Sequence, residues 1–104
     1  MNTSSVTVVR VYLMEHEGLD RLVRHLHDET TVRGVTVFRG IGGFGQSRKT
    51  HGMGLLDLSL DLPAVVEFFD EPARVEAVVA GLKRLVDPRH ILLWPASVCE
   101  GDRC

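Results

Sequence analysis

The chain has 104 residues, 44% hydrophobic and 25% charged, which suffices for one compact domain, is too short for two, and excludes disordered, collagen-like and coiled-coil classes. A formal charge of -2 gives no net attraction for phosphate, so no nucleic-acid partner is expected. The N-terminus Met-Asn-Thr-Ser-Ser lacks a basic region, Thr7 and Arg10 interrupt the first apolar run, and the two cysteines sit at the C-terminal end; the expectation is a cytoplasmic protein without a disulfide framework, secretion signal or membrane span.

In chain order, Val6 to Met14 alternates. Thr7, Val9, Val11 and Leu13 share one face and Arg10 and Tyr12 the other, which predicts a β-strand. From Leu19, the apolar residues Leu22, Val23 and Leu26 recur at helical spacing against Asp20, Arg21, Arg24, Asp28 and Glu29, which predicts an amphipathic helix. A second alternating run opens after Gly34, with Val35 and Val37 on one face and Thr36 and Phe38 on the other, and ends at Gly40. Six of the ten glycines fall between Gly40 and Gly54, together with Arg48, Lys49 and His51, so a mobile loop is expected over about 45–54. Leu56, Leu58, Leu60 and Leu62 alternate with polar residues as a half-buried arm leading to Pro63. A third strand is expected over Ala64 to Phe69. Asp70-Glu71-Pro72 reads as an N-capping carboxylate, a first-turn acid and an early proline, opening a helix with the stripe Val75, Val78, Val79, Leu82 and Leu85. Asp87-Pro88 ends it. A fourth strand runs from His90 to Trp94, with Pro95 marking an edge position or a bulge, before a polar tail over 99–104.

This order is the split βαββαβ arrangement. It predicts a single α+β, ferredoxin-like domain over 1–104, with a core of about 6–98 and two helices on one face of a four-stranded antiparallel sheet. Arg10, Tyr12, Phe38, Glu67 and Phe69 would then line the uncovered face, which is too apolar to stay wet and is expected to pack against copies of itself.

The stretch Arg39-Gly40-Ile41-Gly42-Gly43-Phe44-Gly45-Gln46-Ser47-Arg48-Lys49 carries the chemistry. Its glycines expose backbone N–H groups that can curl around an anion, and Arg48 and Lys49 add charge-assisted donors for phosphate or carboxylate. It matches neither a phosphate-binding loop that opens a helix with Gly-Lys-Ser/Thr nor a dinucleotide fingerprint. On residues alone, the alternative is a glycine-rich hairpin with solvated basic side chains. His25 and His27, two apart on a helix, point in different directions, so no metal site is expected. Glu67 and Asp70 flank the third strand, but no nucleophile, base and orienting partner can be assembled from local spacing, so no catalytic residues are assigned.

The Gly43-Phe44-Gly45-Gln46 step, the basic loop after it and the βαββαβ frame resemble the PII signalling superfamily. More closely, Val37 to Gly45, Leu55-Leu56-Asp57-Leu58-Ser59 and Leu62-Pro63-Ala64-Val65-Val66-Glu67 resemble the PII-like domain of unknown function family 190, over nearly the whole length from Val8 to Val98. The resemblance implies a homotrimer with ligand clefts between subunits. It places Gly43, Phe44, Gly45 and Gln46 at a cleft for a small anionic ligand, with adenine nucleotide as the candidate, and Ser47, Arg48 and Lys49 next to it. PII proteins grip ATP phosphates with a glycine- and lysine-containing loop before the last strand, whereas Val86-Asp87-Pro88-Arg89-His90 is short and lacks glycine. This departure points to a smaller ligand, such as a nucleoside monophosphate or cyclic nucleotide, or to no nucleotide at all. The resemblance further implies a regulatory rather than enzymatic role, directed at a partner such as a membrane transport protein; the alternatives are a nucleotide-hydrolysing enzyme and a CutA-like metal-tolerance trimer. Cys99 and Cys104 form a candidate redox pair, resembling the terminal pair of some carbon-sensing PII-like proteins; the alternative is a frayed, reduced tail.

Overall fold

In the computed structural model, the structure describes residues 1–44, the backbone of 50–52, and residues 62–102. Among the described residues, six strands and two helices follow one another: β1 (Thr3–Met14), α1 (Leu19–Glu29), β2 (Thr36–Arg39), β3 (Gly42–Phe44), β4 (Thr50–Gly52), β5 (Pro63–Asp70), α2 (Pro72–Leu82) and β6 (Ile91–Cys99), with short 3-10 turns at Glu15–Glu17 and Pro88–His90. Four strands form one antiparallel sheet in the order β2-β5-β1-β6. β1 and β2 are thus separated by β5, the signature of the split βαβ unit. The fold is α+β and ferredoxin-like, as the alternation and helical stripes predict.

Alternation along the strands decides which side is dry. Val9, Val11 and Leu13 of β1 and Val66 and Phe68 of β5 meet Leu22 and Leu26 of α1 and Val75, Val78 and Leu82 of α2 in one buried cluster. Their register partners are Val9 with Phe68, Val11 with Val66 and Leu13 with Ala64, so the two central strands present matched apolar rows to both helices. Gly18 precedes α1 at φ 92°, a left-handed conformation that side-chain-bearing residues disfavour. This glycine turns the chain from the 3-10 turn into the helix.

Several boundaries differ from the sequence expectation, among them those of β5, α2 and β6. β5 runs one residue further, and Asp70 is not the helix cap; Glu71 occupies that position without a side-chain cap bond. Asp70 is instead fully buried. Its carboxylate accepts the backbone N–H of Glu71 at 2.8 Å and of Arg33 at 3.3 Å, and the guanidinium of Arg74 at 3.0 Å. α2 ends at Leu82, where the backbone N–H groups of Leu85 and Val86 turn back onto the Leu82 carbonyl, although Leu85 still packs on the core. β6 continues through Pro95 to Cys99 because it is an edge strand, where a missing N–H is tolerated.

Candidate functional site

The glycine segment departs from the core at a fastened root. The backbone N–H of Gly40 donates to the Pro63 carbonyl at 2.8 Å, and that of Glu15 donates to the Leu62 carbonyl at 3.1 Å. Arg39 forms an ion pair with Glu15 at 3.0 Å. The chain therefore leaves β2 and re-enters at β5 at one point, beside the end of β1. Gly40 is required there by close approach: a Cβ would lie 2.8 Å from Cγ of the Pro63 ring.

Beyond this root, Gly42–Phe44 pairs antiparallel with Thr50–Gly52, with Gly42 opposite Gly52, Gly43 opposite His51 and Phe44 opposite Thr50. A two-stranded ribbon stands where the sequence suggests only loop, because backbone pairing needs no side-chain periodicity and glycine leaves little for a periodicity search to find. Of the residues expected to hold ligand, Gly43 and Phe44 lie on β3, with the Phe44 side chain exposed. Gly45, Gln46, Ser47, Arg48 and Lys49 lie outside the described residues, as does the leucine arm before Leu62. Cys104 lies outside them too; Cys99 ends β6, and no free cysteine occurs among the described residues.

The connection from α2 to β6 is tight. Asp87 caps the 3-10 turn by accepting the backbone N–H of Arg89 at 2.9 Å, and the Arg89 guanidinium folds back onto the same carboxylate at 2.7 Å. The Arg89 side chain, followed by its backbone N–H, lowers the Asp87 pKa to about 2. Arg89 is thus committed to an internal pair rather than held out for a phosphate.

The second candidate surface is the sheet face opposite the helices. Tyr12, Phe38, Phe69, Leu92 and Trp94 there retain between 36% and 49% exposure. Side chains of this size leave on the order of 400 Å² of apolar surface in one patch, the scale at which interaction sites stand out. At its centre Arg10 Nε donates to Glu67 Oε1 at 2.6 Å, while the Arg10 guanidinium lies 6.0 Å from the Phe38 ring centre and 5.7 Å from that of Trp94. Side-chain hydrogen bonding to Glu67, then to Tyr12, raises the Arg10 pKa above its already high ordinary value, so the charge is permanent. Sequence reading places Arg10 and Glu67 on this face but misses their bond, which joins residues 57 apart in sequence. It also misses Leu92 and Trp94, which the alternation of the last strand could have assigned to the same side.

Other groups singled out from sequence do not converge. His25 bonds Glu29 at 2.9 Å and His27 bonds Asp28 at 2.7 Å. Glu67 lies on the open face and Asp70 on the helix-covered one, since three residues separate them along one strand. Among the described residues, no cluster of three or more His, Cys, Asp or Glu could hold a metal ion, and no helix is long and apolar enough to cross a membrane.

The frame, the glycine-rich ribbon and its root coincide with the segment matched by the family model DUF190, "Uncharacterized ACR, COG1993", over residues 6–98. The chain belongs to the DUF190 family. DUF190 is a branch of the PII-like superfamily, in agreement with the resemblance read from Val37 to Gly45 and from Leu62 to Glu67. Two curated relatives from Aquifex aeolicus (strain VF5), both called "UPF0166 protein", are similar to this DUF190 chain. One is 34% identical over 64 residues, 62% of this chain and 66% of the relative; the other is 27% identical over 81 residues, 73% and 77% respectively.

Proposed function

We propose that this DUF190 protein is a PII-like regulator that assembles as a homotrimer through the open face of its sheet. In this reading it takes up a small anionic ligand, of the adenine nucleotide class, in clefts between subunits. Gly43 and Phe44 stand at the cleft, with Gly45, Gln46, Ser47, Arg48 and Lys49 following, and the segment signals occupancy to a partner protein, for which a membrane transport protein is the candidate. The observation that carries the reading is the patch of aromatic side chains around Arg10. Tyr, Trp, Phe and Arg are the residues enriched in protein interfaces, and a soluble monomer gains nothing from displaying them together. The fastened root at Gly40 and Pro63 supports the second half: a ribbon anchored at one point can change position without disturbing the core. The self-paired Asp87 and Arg89 favour a monophosphate or cyclic nucleotide over a triphosphate.

Two measurements test this. Light scattering at micromolar concentration should give the mass of three chains, and thermal shift with adenosine monophosphate, cyclic adenosine monophosphate and ATP should give a rise in unfolding temperature with one of the first two, since a ligand that binds only the folded state stabilises it. A monomer mass refutes the assembly. Steady nucleotide turnover would transfer the site to the hydrolase alternative, and stabilisation by divalent metal alone would transfer it to the CutA-like one.

A further inference from the structure

The centre of the open face carries a charged pair where an oily surface alone would bind more simply. Arg10 and Glu67 are direct cross-strand partners on the two middle strands, β1 and β5. Phe38 on β2 and Trp94 on β6 flank the guanidinium at diagonal positions, so the pair is bracketed across the width of the sheet. It is half-screened in the protomer, with side-chain exposures of 38% for Arg10 and 26% for Glu67. The bond between them uses only Nε and one carboxylate oxygen, and Tyr12 takes a further share of the guanidinium, which leaves the remaining guanidinium N–H groups and the second carboxylate oxygen for another partner.

We infer that the Arg10–Glu67 pair is the register key of self-association: neighbouring copies of this chain cover the face, and the free ends of their pairs bond from one copy to the next around the assembly. This rests on the assembly reading above. The choice of occupant follows from charge. The cation and anion cancel, so the face has no net field with which to recruit a polyanion or an acidic peptide. A purely apolar partner or a lipid surface would bury the leftover donors and acceptors without satisfying them, at a cost that increases as water leaves. Each further copy brings one cation and one anion in the same arrangement, so that in a closed ring every leftover donor can meet the acceptor of a neighbour. Because they can do so only in one alignment, the pair penalises slipped or foreign packings that the surrounding aromatics would tolerate.

Charge reversal tests the inference. Arg10→Glu and Glu67→Arg each place like charges together, and each should raise the concentration at which the assembly dissociates about 100-fold in a light-scattering dilution series, in line with the loss expected when a covered charge pair is broken. The double variant, Arg10→Glu with Glu67→Arg, should return to within about tenfold of the natural protein, because the swapped pair recreates the same alignment. Far-ultraviolet circular dichroism and thermal unfolding establish that each variant folds. If a reversal does not fold, the near-isosteric Glu67→Gln replaces it, with an expected weakening of about tenfold. Single variants that assemble like the natural protein, or a double variant no better than the singles, overturn the register key while leaving assembly intact. A natural protein that stays monomeric overturns the assembly reading itself, and this inference with it.

Discussion

The two faces of the sheet are built on alternate residues of the same two strands, β1 and β5, yet they differ in chemistry. On β1 and β5 the helix-covered face is mostly aliphatic, with Val9, Val11, Leu13, Ala64 and Val66, one aromatic side chain in Phe68, and at the end of β5 the buried Asp70 with its arginine partners. The open face holds Tyr12, Phe38, Phe69 and Trp94 around an ion pair. Aliphatic side chains fill a permanent interior closely and carry no polar atoms to satisfy. Aromatic rings and arginine present large, stiff surfaces that tolerate water until a partner arrives. The contrast shows that a buried face and a waiting face can be told apart by which apolar residues they use, rather than by how apolar they are.

Four substitutions would break or sharpen that contrast. The largest effect belongs to the covered face: Leu26→Ala, at a fully buried position, should cost about 2–5 kcal/mol in urea unfolding, through lost transfer energy and the cavity left behind. Asp70→Ala should cost about 3 kcal/mol, near the lower end for breaking a buried ion pair, because Arg33 and Arg74 can partly rehydrate. Burial works against the Asp70 charge more than any single favourable contact works for it. Together, however, the N–H groups of Glu71 and Arg33 and the guanidinium groups of Arg74 and Arg33 hold its pKa below the ordinary 3.8. A carboxylate depressed on folding stabilises fully above its unfolded pKa, and that contribution disappears as pH falls through the folded value. Acid unfolding of the natural protein should therefore steepen below about pH 4, and Asp70→Ala should lose that steepening.

Gly40→Ala comes next, at about 1–3 kcal/mol, because the new methyl group meets the Pro63 ring and the root must shift. Chemical denaturation would measure it. The smallest effect on protomer stability belongs to the open face: Trp94→Ser should change it by no more than about 0.5 kcal/mol while shifting the light-scattering mass towards the monomer. A loss as large as that of Leu26→Ala would mean that the open face is part of the core and not a surface held ready for a partner.

The sequence discloses what local period encodes. The alternation of Val9, Val11 and Leu13 against Arg10 and Tyr12 is visible because a half-buried strand must repeat every two residues, and α1 is visible because Leu22 and Leu26 repeat at four. The helices, the central strands and much of the open face are legible on that basis. What joins distant positions is not. Asp70 looks like a cap because Glu71 and Pro72 follow it, yet its burial depends on Arg33, which is 37 residues away along the chain. The Arg10–Glu67 bond likewise has no local spacing. At the candidate ligand segment, glycine writes no hydrophobic pattern, so the pairing of Gly42 with Gly52 leaves no trace in the sequence, whereas the Gly-Phe-Gly step itself is recognisable through its resemblance to the PII-like family.

The joint between Gly40 and Pro63 has a consequence for protein engineering and for how such chains diversify. A segment whose two ends are fastened together by the backbone can be lengthened, shortened or exchanged while the core meets the same two attachment points. The entropic cost of closing a longer excursion grows only logarithmically, at about 0.6 kcal/mol per doubling of its length. Other sequences can therefore be grafted between these two residues wherever the glycine N–H stays 2.8 Å from the carbonyl of the returning strand.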